Sequence, residues 1–179
     1  MMNRKLVLGF LISMMPVLAL AQGKALIGPE AGDKEFVLSG TGSSQNDLDT
    51  LTFGILGGLG WYYNRNLEFG VRQGVNYADV PNDGDNVWNG STRGFVDWHF
   101  IATERARPFI GASLGGVYGE RIDDSGFAGL EAGIKYFVRP KTFILGAAEY
   151  QYFFNNLSDV DDAFDDGAFV YTVGIGYLF

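Results

Sequence analysis

Charged and polar residues recur at alternate positions along several segments that are otherwise rich in aliphatic and aromatic residues. A period of two is typical of a β-strand, because successive side chains of a strand point to opposite faces of the sheet. Acids and bases that share one face can form ion pairs, transfer protons or bind a metal ion. The set comprises Glu68, Arg72, Arg93, Asp97, His99, Glu131, Lys135, Glu149 and Gln151.

His99 is the only histidine in the chain, so a metal site with two or more histidine ligands is excluded. A nucleophilic triad would have to combine His99 with Asp97 on its own face and Ser113 on the next segment. The residues that follow His99 are Phe100 and Ile101, so no serine lies two positions after the histidine, where it could act with it. We therefore predict no catalytic residue, no metal site and no cofactor, and interpret His99 as a hydrogen-bonded interior residue.

A second group of possible ligands lies in the segment 159–167, which contains Asp159, Asp161, Asp162, Asp165 and Asp166. Carboxylate oxygens are the ligands that calcium prefers, but the spacing is not that of an EF-hand loop. We interpret the segment as a solvated acidic loop, and loose association with divalent cations is more plausible than a specific site. Specific calcium binding is the alternative.

The alternating pattern predicts eight strands separated by turn-like segments. The last is the clearest, because its large apolar residues alternate with small ones up to the final position. Its apolar face comprises Tyr171, Val173, Ile175, Tyr177 and Phe179. The predicted strands cover residues 34–42, 51–63, 67–77, 91–102, 108–119, 126–138, 142–154 and 169–179.

The amino terminus reads as a secretory signal peptide. Asn3, Arg4 and Lys5 give a short basic region, an apolar run follows over 6–20, and small residues precede a predicted cleavage site after Ala21. We predict a signal peptide over 1–21, a short periplasmic segment over 22–33 and one domain over 34–179. The chain has no cysteine. Its formal net charge of −8 disfavours nucleic acid as a partner, because binding to phosphates requires a basic surface.

Connections between the predicted strands alternate between short and long. The short ones, 64–66, 103–107 and 139–141, carry five bases and one acid, whereas the long ones, 43–49, 78–90, 120–125 and 155–167, carry thirteen acids and one base. Short periplasmic turns, longer external loops and strands of about ten residues are features of transmembrane β-barrels.

The terminal pattern Tyr171-x-Val173-x-Ile175-x-Tyr177-x-Phe179 resembles the closing strand of bacterial outer-membrane β-barrels. With eight strands, the segment 34–179 resembles the small OmpA/OmpX-type barrel of that family. The resemblance implies an all-β, eight-stranded, antiparallel, up-and-down transmembrane β-barrel in the outer membrane of a Gram-negative bacterium. It also implies that the aromatic carboxy terminus is read by the barrel-assembly machinery, and that lipid and lipopolysaccharide surround the barrel.

A barrel of eight strands has an interior that side chains just fill, so charges inside it must be paired. We expect a network of arginines and carboxylates in the lumen. If the hairpin of the third and fourth strands folds symmetrically about Gly84, Arg72 and Asp97 come roughly opposite each other. Glu131 and Glu149 should lie at a similar height, with Arg72 or Arg93 as their cation. Outward aromatic residues should form girdles at the membrane interfaces. These are Trp61, Tyr63, Trp98, Tyr136, Tyr150, Tyr152 and Tyr177.

The function predicted from these features is a structural or surface-interaction role for a barrel that presents acidic external loops. A narrow pore gated by the lumen charges is the first alternative. A lipid A-modifying enzyme and a soluble, lipocalin-like periplasmic binder are further alternatives. The sequence does not identify an extracellular partner.

Overall fold

The computed structural model describes residues 26–44, 51–79, 86–101, 103–119, 125–154 and 167–179. Within these residues eight antiparallel strands pair in chain order, and the last pairs with the first to close a barrel. The predicted fold class is therefore confirmed. The described part of the chain holds no helix long and apolar enough to cross a membrane. The strands are β1 (Lys34–Ser44), β2 (Leu51–Tyr62), β3 (Leu67–Asp79), β4 (Asn86–His99), β5 (Ala106–Gly119), β6 (Ser125–Arg139), β7 (Thr142–Phe154) and β8 (Gly167–Leu178).

The hairpin of β3 and β4 differs most from the prediction. The predicted loop 78–90 is too long, because β3 continues to Asp79 and β4 already begins at Asn86. Because Asp79 pairs with Asn86, the midpoint of the hairpin lies before Gly84 in the sequence. The strand pairing continues beyond the side-chain hydrogen bond of 2.9 Å between Asn76 and Asn89, into a part of the hairpin where the apolar alternation that guided the prediction is weak. Most of the acidic segments predicted as external loops lie outside the described residues.

The register of this hairpin corrects one predicted pair. Arg72 lies opposite Arg93 rather than opposite Asp97, and Asp97 lies opposite Glu68. The prediction placed the turn at Gly84, so its register was displaced along the strands. Glu131 does lie directly opposite its predicted neighbour on β7.

The outer surface of the barrel is an apolar belt. Leu114 is 65 % exposed and Val173 is 68 % exposed, although both are in the middle of long strands. A continuous apolar surface of this kind would associate in water, whereas it matches the lipid-facing band of a membrane barrel. Every strand contributes to this belt, for example through Leu38, Ile55, Val71, Val96, Leu114, Leu130, Ile144 and Val173.

Glycines inside the barrel make room for large side chains on the neighbouring strand. A Cβ added to Gly133 would lie 2.6 Å from the ring of Phe109, which is its direct partner across β5 and β6. Gly176 faces Phe143 in the same way across β7 and β8, and Gly111 faces Asp97 across β4 and β5. This pairing of small with large residues fills a narrow interior without overpacking it.

Among the described side chains, three polar residues interrupt the lipid-facing belt. Gln73 on β3 donates to the Tyr118 hydroxyl at 2.7 Å, and the Thr92 hydroxyl donates to the Gln73 carbonyl oxygen at 2.6 Å. The hydroxyls of Thr92 and Tyr118 are 3.0 Å apart, so a hydrogen bond between them closes the ring. Each polar group thereby finds a partner inside the cluster, which is what a hydrocarbon environment requires. This explains why Gln73 is tolerated on the apolar face.

Replacing a lumen glycine by alanine should destabilise the barrel. We expect Gly133→Ala to lower the free energy of unfolding by about 1–3 kcal/mol, because the added methyl group overlaps Phe109 and the Gly146 carbonyl. Urea unfolding of the refolded protein in detergent measures this. Gly146→Ala is the matched control, since no atom lies within 4 Å of its added methyl group. Equal losses for the two variants would contradict this account of the glycines.

Candidate functional site: the charge-filled lumen

Strand alternation brings the charged residues of six strands into the closed interior of the barrel. Those of β1, β3, β4, β6 and β7 form three clusters along the axis, each of which contains one lysine or arginine. The lower cluster, nearest the short turns, comprises Lys135, Glu35, Glu68, Tyr62 and His99. The middle cluster comprises Arg72, Asp97 and Glu131, and the upper cluster comprises Arg93, Glu149, Ser113 and Gln151.

Lys135 joins most of the lower cluster. Its ammonium group lies 2.7 Å from both carboxylate oxygens of Glu35, 2.7 Å from Glu68 Oε2 and 3.0 Å from the Tyr62 hydroxyl. Tyr62 in turn donates to Glu35 at 2.9 Å, and His99 Nε2 lies 3.0 Å from Glu68 Oε2. An ammonium group has three donors. The contacts of Lys135 therefore use its full donor capacity and tie β1, β2 and β3 to β6.

Arg72 holds the two carboxylates of the middle cluster. Its Nη1 atom donates to both oxygens of Glu131, at 2.7 and 2.8 Å, and its Nη2 atom donates to Asp97 at 2.9 Å. The guanidinium carbon also lies 3.8 Å from the centre of the Phe95 ring, a cation–π contact. Charge-assisted hydrogen bonds of this kind are the strong ones in protein interiors.

Glu149 is the acceptor at the centre of the upper cluster. Arg93 Nη2 lies 3.2 Å from its Oε2 atom, and the Gln151 amide donates to the same atom at 2.9 Å. The Ser113 hydroxyl donates to the other carboxylate oxygen. Glu149 therefore has partners on β4, β5 and β7, and the cluster crosses the lumen.

The lumen is closed below and wider above. Under the lower cluster an aromatic and aliphatic floor is formed by Phe109, Phe137, Phe143 and Leu178. Between the lower and middle clusters lies a cavity of about 20 Å³, which is room for about one water molecule. Above the upper cluster a cavity of about 190 Å³ is lined mainly by uncharged groups, among them Thr41, Asn76, Asn89, Ser91, Gln151 and Phe153.

The structure places all nine polar residues predicted for the interior on the lumen side. It joins Arg72 to both Asp97 and Glu131, because the long arginine side chain reaches diagonally across the register. Glu35 and Tyr62 belong to the lower cluster but were not in the predicted set. Glu35 lies on the inward face of β1, whereas its neighbour Phe36 is exposed on the outer face. The alternation of the sequence therefore already indicated that Glu35 points into the lumen.

The geometry does not assemble a nucleophilic triad around His99. Ser113 lies opposite Phe95, whereas His99 lies opposite Phe109 further along the same hairpin, and the serine hydroxyl is bonded to Glu149. Glu68, Asp97 and His99 can offer metal-ligand atoms within 4.8 Å of one another, and all three are buried. Glu68 and Asp97 already pair with protein cations, however, so these residues serve the ion-pair network.

Aromatic residues on the outer face form contacts with their neighbours at both ends of the belt. Trp61 stacks on Phe69 with ring centres 6.3 Å apart, and Tyr150 contacts Tyr152 and Phe169 at 4.6 and 4.7 Å. The predicted girdle residues Tyr63, Trp98, Tyr136 and Tyr177 are also exposed on the outer face or rim. The same holds for the remaining predicted assembly residues, Tyr171, Val173, Ile175 and Phe179.

Comparison with solved structures shows the same architecture. The chain is similar to Neisserial surface protein A, with a TM-score of 0.59 and 16% sequence identity over 82% of this chain and 96% of that chain. It is similar to the outer membrane protein OprG from Pseudomonas aeruginosa, with a TM-score of 0.58 and 12% identity over 85% and 98% of the two chains. It is also similar to Ail, the attachment invasion locus protein of Yersinia pestis, with a TM-score of 0.52 and 14% identity over 83% and 99%. No protein-family model and no curated protein matches the sequence.

The closed sheet, the apolar belt and the filled lumen together define a small eight-stranded membrane barrel. Its fold is that of the outer-membrane barrels with which it compares, which agrees with the location predicted from the sequence. At these low sequence identities the likeness extends to the fold alone.

Removing the cation of the middle cluster should be costly. Arg72→Met leaves two buried carboxylates without their cation, and we expect it to lower the free energy of unfolding by about 3–5 kcal/mol. Urea unfolding in detergent, followed by tryptophan fluorescence, measures the loss. The variant Arg72→Met with Asp97→Asn and Glu131→Gln should recover much of it, because neutral side chains replace the uncompensated charges. A triple variant as unstable as the single one would refute this assignment.

Proposed function

We propose that this chain is an outer-membrane barrel with a structural and surface-interaction role, whose lumen is closed to solutes. The observation that carries the proposal is the interlocked network of the lumen. Three cations and five carboxylates, all with buried or nearly buried side chains, occupy the axis above an apolar floor. A lumen filled in this way stabilises the barrel and leaves its external loops as the part that meets partners.

The surface role is supported by the sequence of the predicted external segments, which carry thirteen acids and one base. Such loops favour partners that are basic, or anionic partners bridged by divalent cations, as at a lipopolysaccharide surface. Two of the compared barrels are by name a surface protein and an attachment protein, which is consistent with this class of role. The barrel-assembly machinery is the proposed reader of the aromatic residues on β8.

A second candidate is a narrow pore gated by exchange of ion pairs. It is favoured by the sharing of carboxylates in the lower cluster, where Glu68 Oε2 contacts both Lys135 and His99. Within the three clusters the five carboxylates also outnumber the three lysine and arginine cations, so a cation that leaves one carboxylate can pair with another. For ions to pass, the cavity of about 20 Å³ between the lower and middle clusters would have to widen.

Planar-bilayer recording distinguishes the closed barrel from the gated pore. We expect no conductance steps from the refolded chain, because the floor and the three clusters block the axis. Arg72→Ala should remain silent as well, since the lower cluster and the floor are intact. Steps in the parent chain whose frequency changes in Arg72→Ala would instead establish the gated pore.

Epitope accessibility tests which end of the barrel meets partners. An epitope inserted between Asp161 and Asp162 should be labelled by antibody on intact cells, because this acidic segment is proposed to be external. The matched control is an epitope inserted after Pro140 in the short turn, which should be labelled only after permeabilisation. Labelling of the Pro140 epitope on intact cells would overturn the proposed orientation.

The proposal includes no enzymatic activity. Overexpression should therefore leave the mass of lipid A unchanged, because His99 is buried in the lumen away from the lipid-facing surface. Mass spectrometry of extracted lipid A checks this, with cells carrying an empty vector as the control. A new lipid A mass that is lost in His99→Ala would support the lipid A-modifying alternative instead.

A further inference from the structure

Residues 26–33, which precede β1, cross the mouth of the barrel at the short-turn end. The amide of Gly32 donates to the Tyr62 carbonyl at 2.8 Å, which fixes the segment to β2. The amide of Gly28 donates to the Pro140 carbonyl at 3.0 Å, in the turn between β6 and β7. The contacts thus run from the strand next to β1 to the far side of the mouth. We call residues 26–33 the strap.

The strap is packed into the mouth as well as hydrogen-bonded across it. Pro29 is fully buried, and Ile27 packs against the floor cluster that includes Phe137 and Phe143. Leu26, one residue before, is 59 % exposed. The apolar contacts of the strap therefore begin at Ile27, and the docked strap shields the floor from water.

Arg107 lies beneath the strap in an unusual environment. Its side chain is only 2 % exposed, and its Nη2 atom donates to the Ile27 carbonyl at 3.2 Å. Its Nε and Nη1 atoms have no hydrogen-bond partner. Its direct neighbour across β5 and β6 is Lys135, a second cation. Among the described residues no carboxylate forms an ion pair with Arg107.

Burial of a cation without a counter-charge opposes docking of the strap, because the loss of hydration exceeds what one hydrogen bond returns. The apolar contacts of Ile27 and Pro29 favour docking. We propose that the strap is a reversible lid over the mouth at the short-turn end, held by apolar burial and driven open by hydration of Arg107. Opening would expose Arg107 and the underside of the aromatic floor to water, while the floor continues to separate the lower cluster from the mouth.

Gly28 is the position where the strap passes closest to the cation. It has a φ of +95°, and a Cβ there would lie 2.7 Å from Arg107 Nη2. Gly32 has a similar φ of +89°, but no atom lies within 4 Å of its added Cβ. Alanine strains the backbone at both positions, whereas only Gly28→Ala also displaces the guanidinium group. The two glycines form a matched pair for a test of the lid.

Cysteine labelling measures the position of the strap directly, because the chain has no cysteine of its own. In the refolded protein, a membrane-impermeant maleimide should label Ile27→Cys about tenfold more slowly than Leu26→Cys, which corresponds to about 1.4 kcal/mol in favour of docking. Heat-dependent gel mobility confirms that each variant is folded. Equal labelling rates at the two positions in the folded chain would overturn the docked strap.

Two further substitutions, made in the Ile27→Cys background, should act in opposite directions. Gly28→Ala should raise the labelling rate more than Gly32→Ala does. Arg107→Met should lower the rate, because an apolar side chain of similar length removes the cost of burying the charge. An Arg107→Met variant that is labelled faster than its parent would show that Arg107 holds the strap closed, and would refute the proposed opening force.

The lid depends on the proposed function in one respect only, which is that the short-turn end of the barrel faces the periplasm. Labelling in detergent reports on the strap whether or not the barrel conducts. A conductance in bilayers would therefore count against the closed barrel and leave the lid intact, whereas equal labelling would refute the lid and leave the closed barrel intact.

Discussion

The structure depends on one constraint, which is that a closed sheet of eight strands must fill its own interior. The available space is too narrow for an open channel and too enclosed for unpaired charges. This chain meets the constraint with clusters in which one charged group serves two or more partners, as Lys135 does for Glu35 and Glu68, and as Glu149 does for Arg93, Ser113 and Gln151. Each cluster joins strands that are not neighbours in the sheet, so the same contacts that satisfy the charges also brace the barrel across its lumen.

Much of this arrangement follows from the period-two pattern of the sequence. Parity alone indicates which side chains point inward, because a strand offers only two faces. Register is a different matter, since it depends on where each hairpin turns. The polar ends of β3 and β4 carry little apolar alternation, and the pairing of Arg72 with Arg93 was therefore not predictable from the pattern.

The sequence also allowed only a partial prediction of which charged residues pair with each other in the lumen. Glu35 and Lys135 are 100 residues apart, and their contact exists only because the sheet closes on itself. Alternation assigns each of them to the interior but says nothing about which residues meet there. The packing of residues 26–33 across the mouth was unpredicted for a similar reason. That segment has no alternation, and its contacts involve backbone groups of distant turns.

Closure of the sheet by β1 and β8 has a consequence for biogenesis. The amide of Lys34 donates to the carbonyl of Phe179, and the amide of Phe179 donates back, so the first and last strands complete each other's ladders. Contacts between such distant parts of a chain carry a large entropic barrier and form slowly. Until they form, both edge strands expose unpaired backbone groups that are prone to aggregation. The barrel therefore reaches its full set of backbone hydrogen bonds only after the first and last strands of the chain have met.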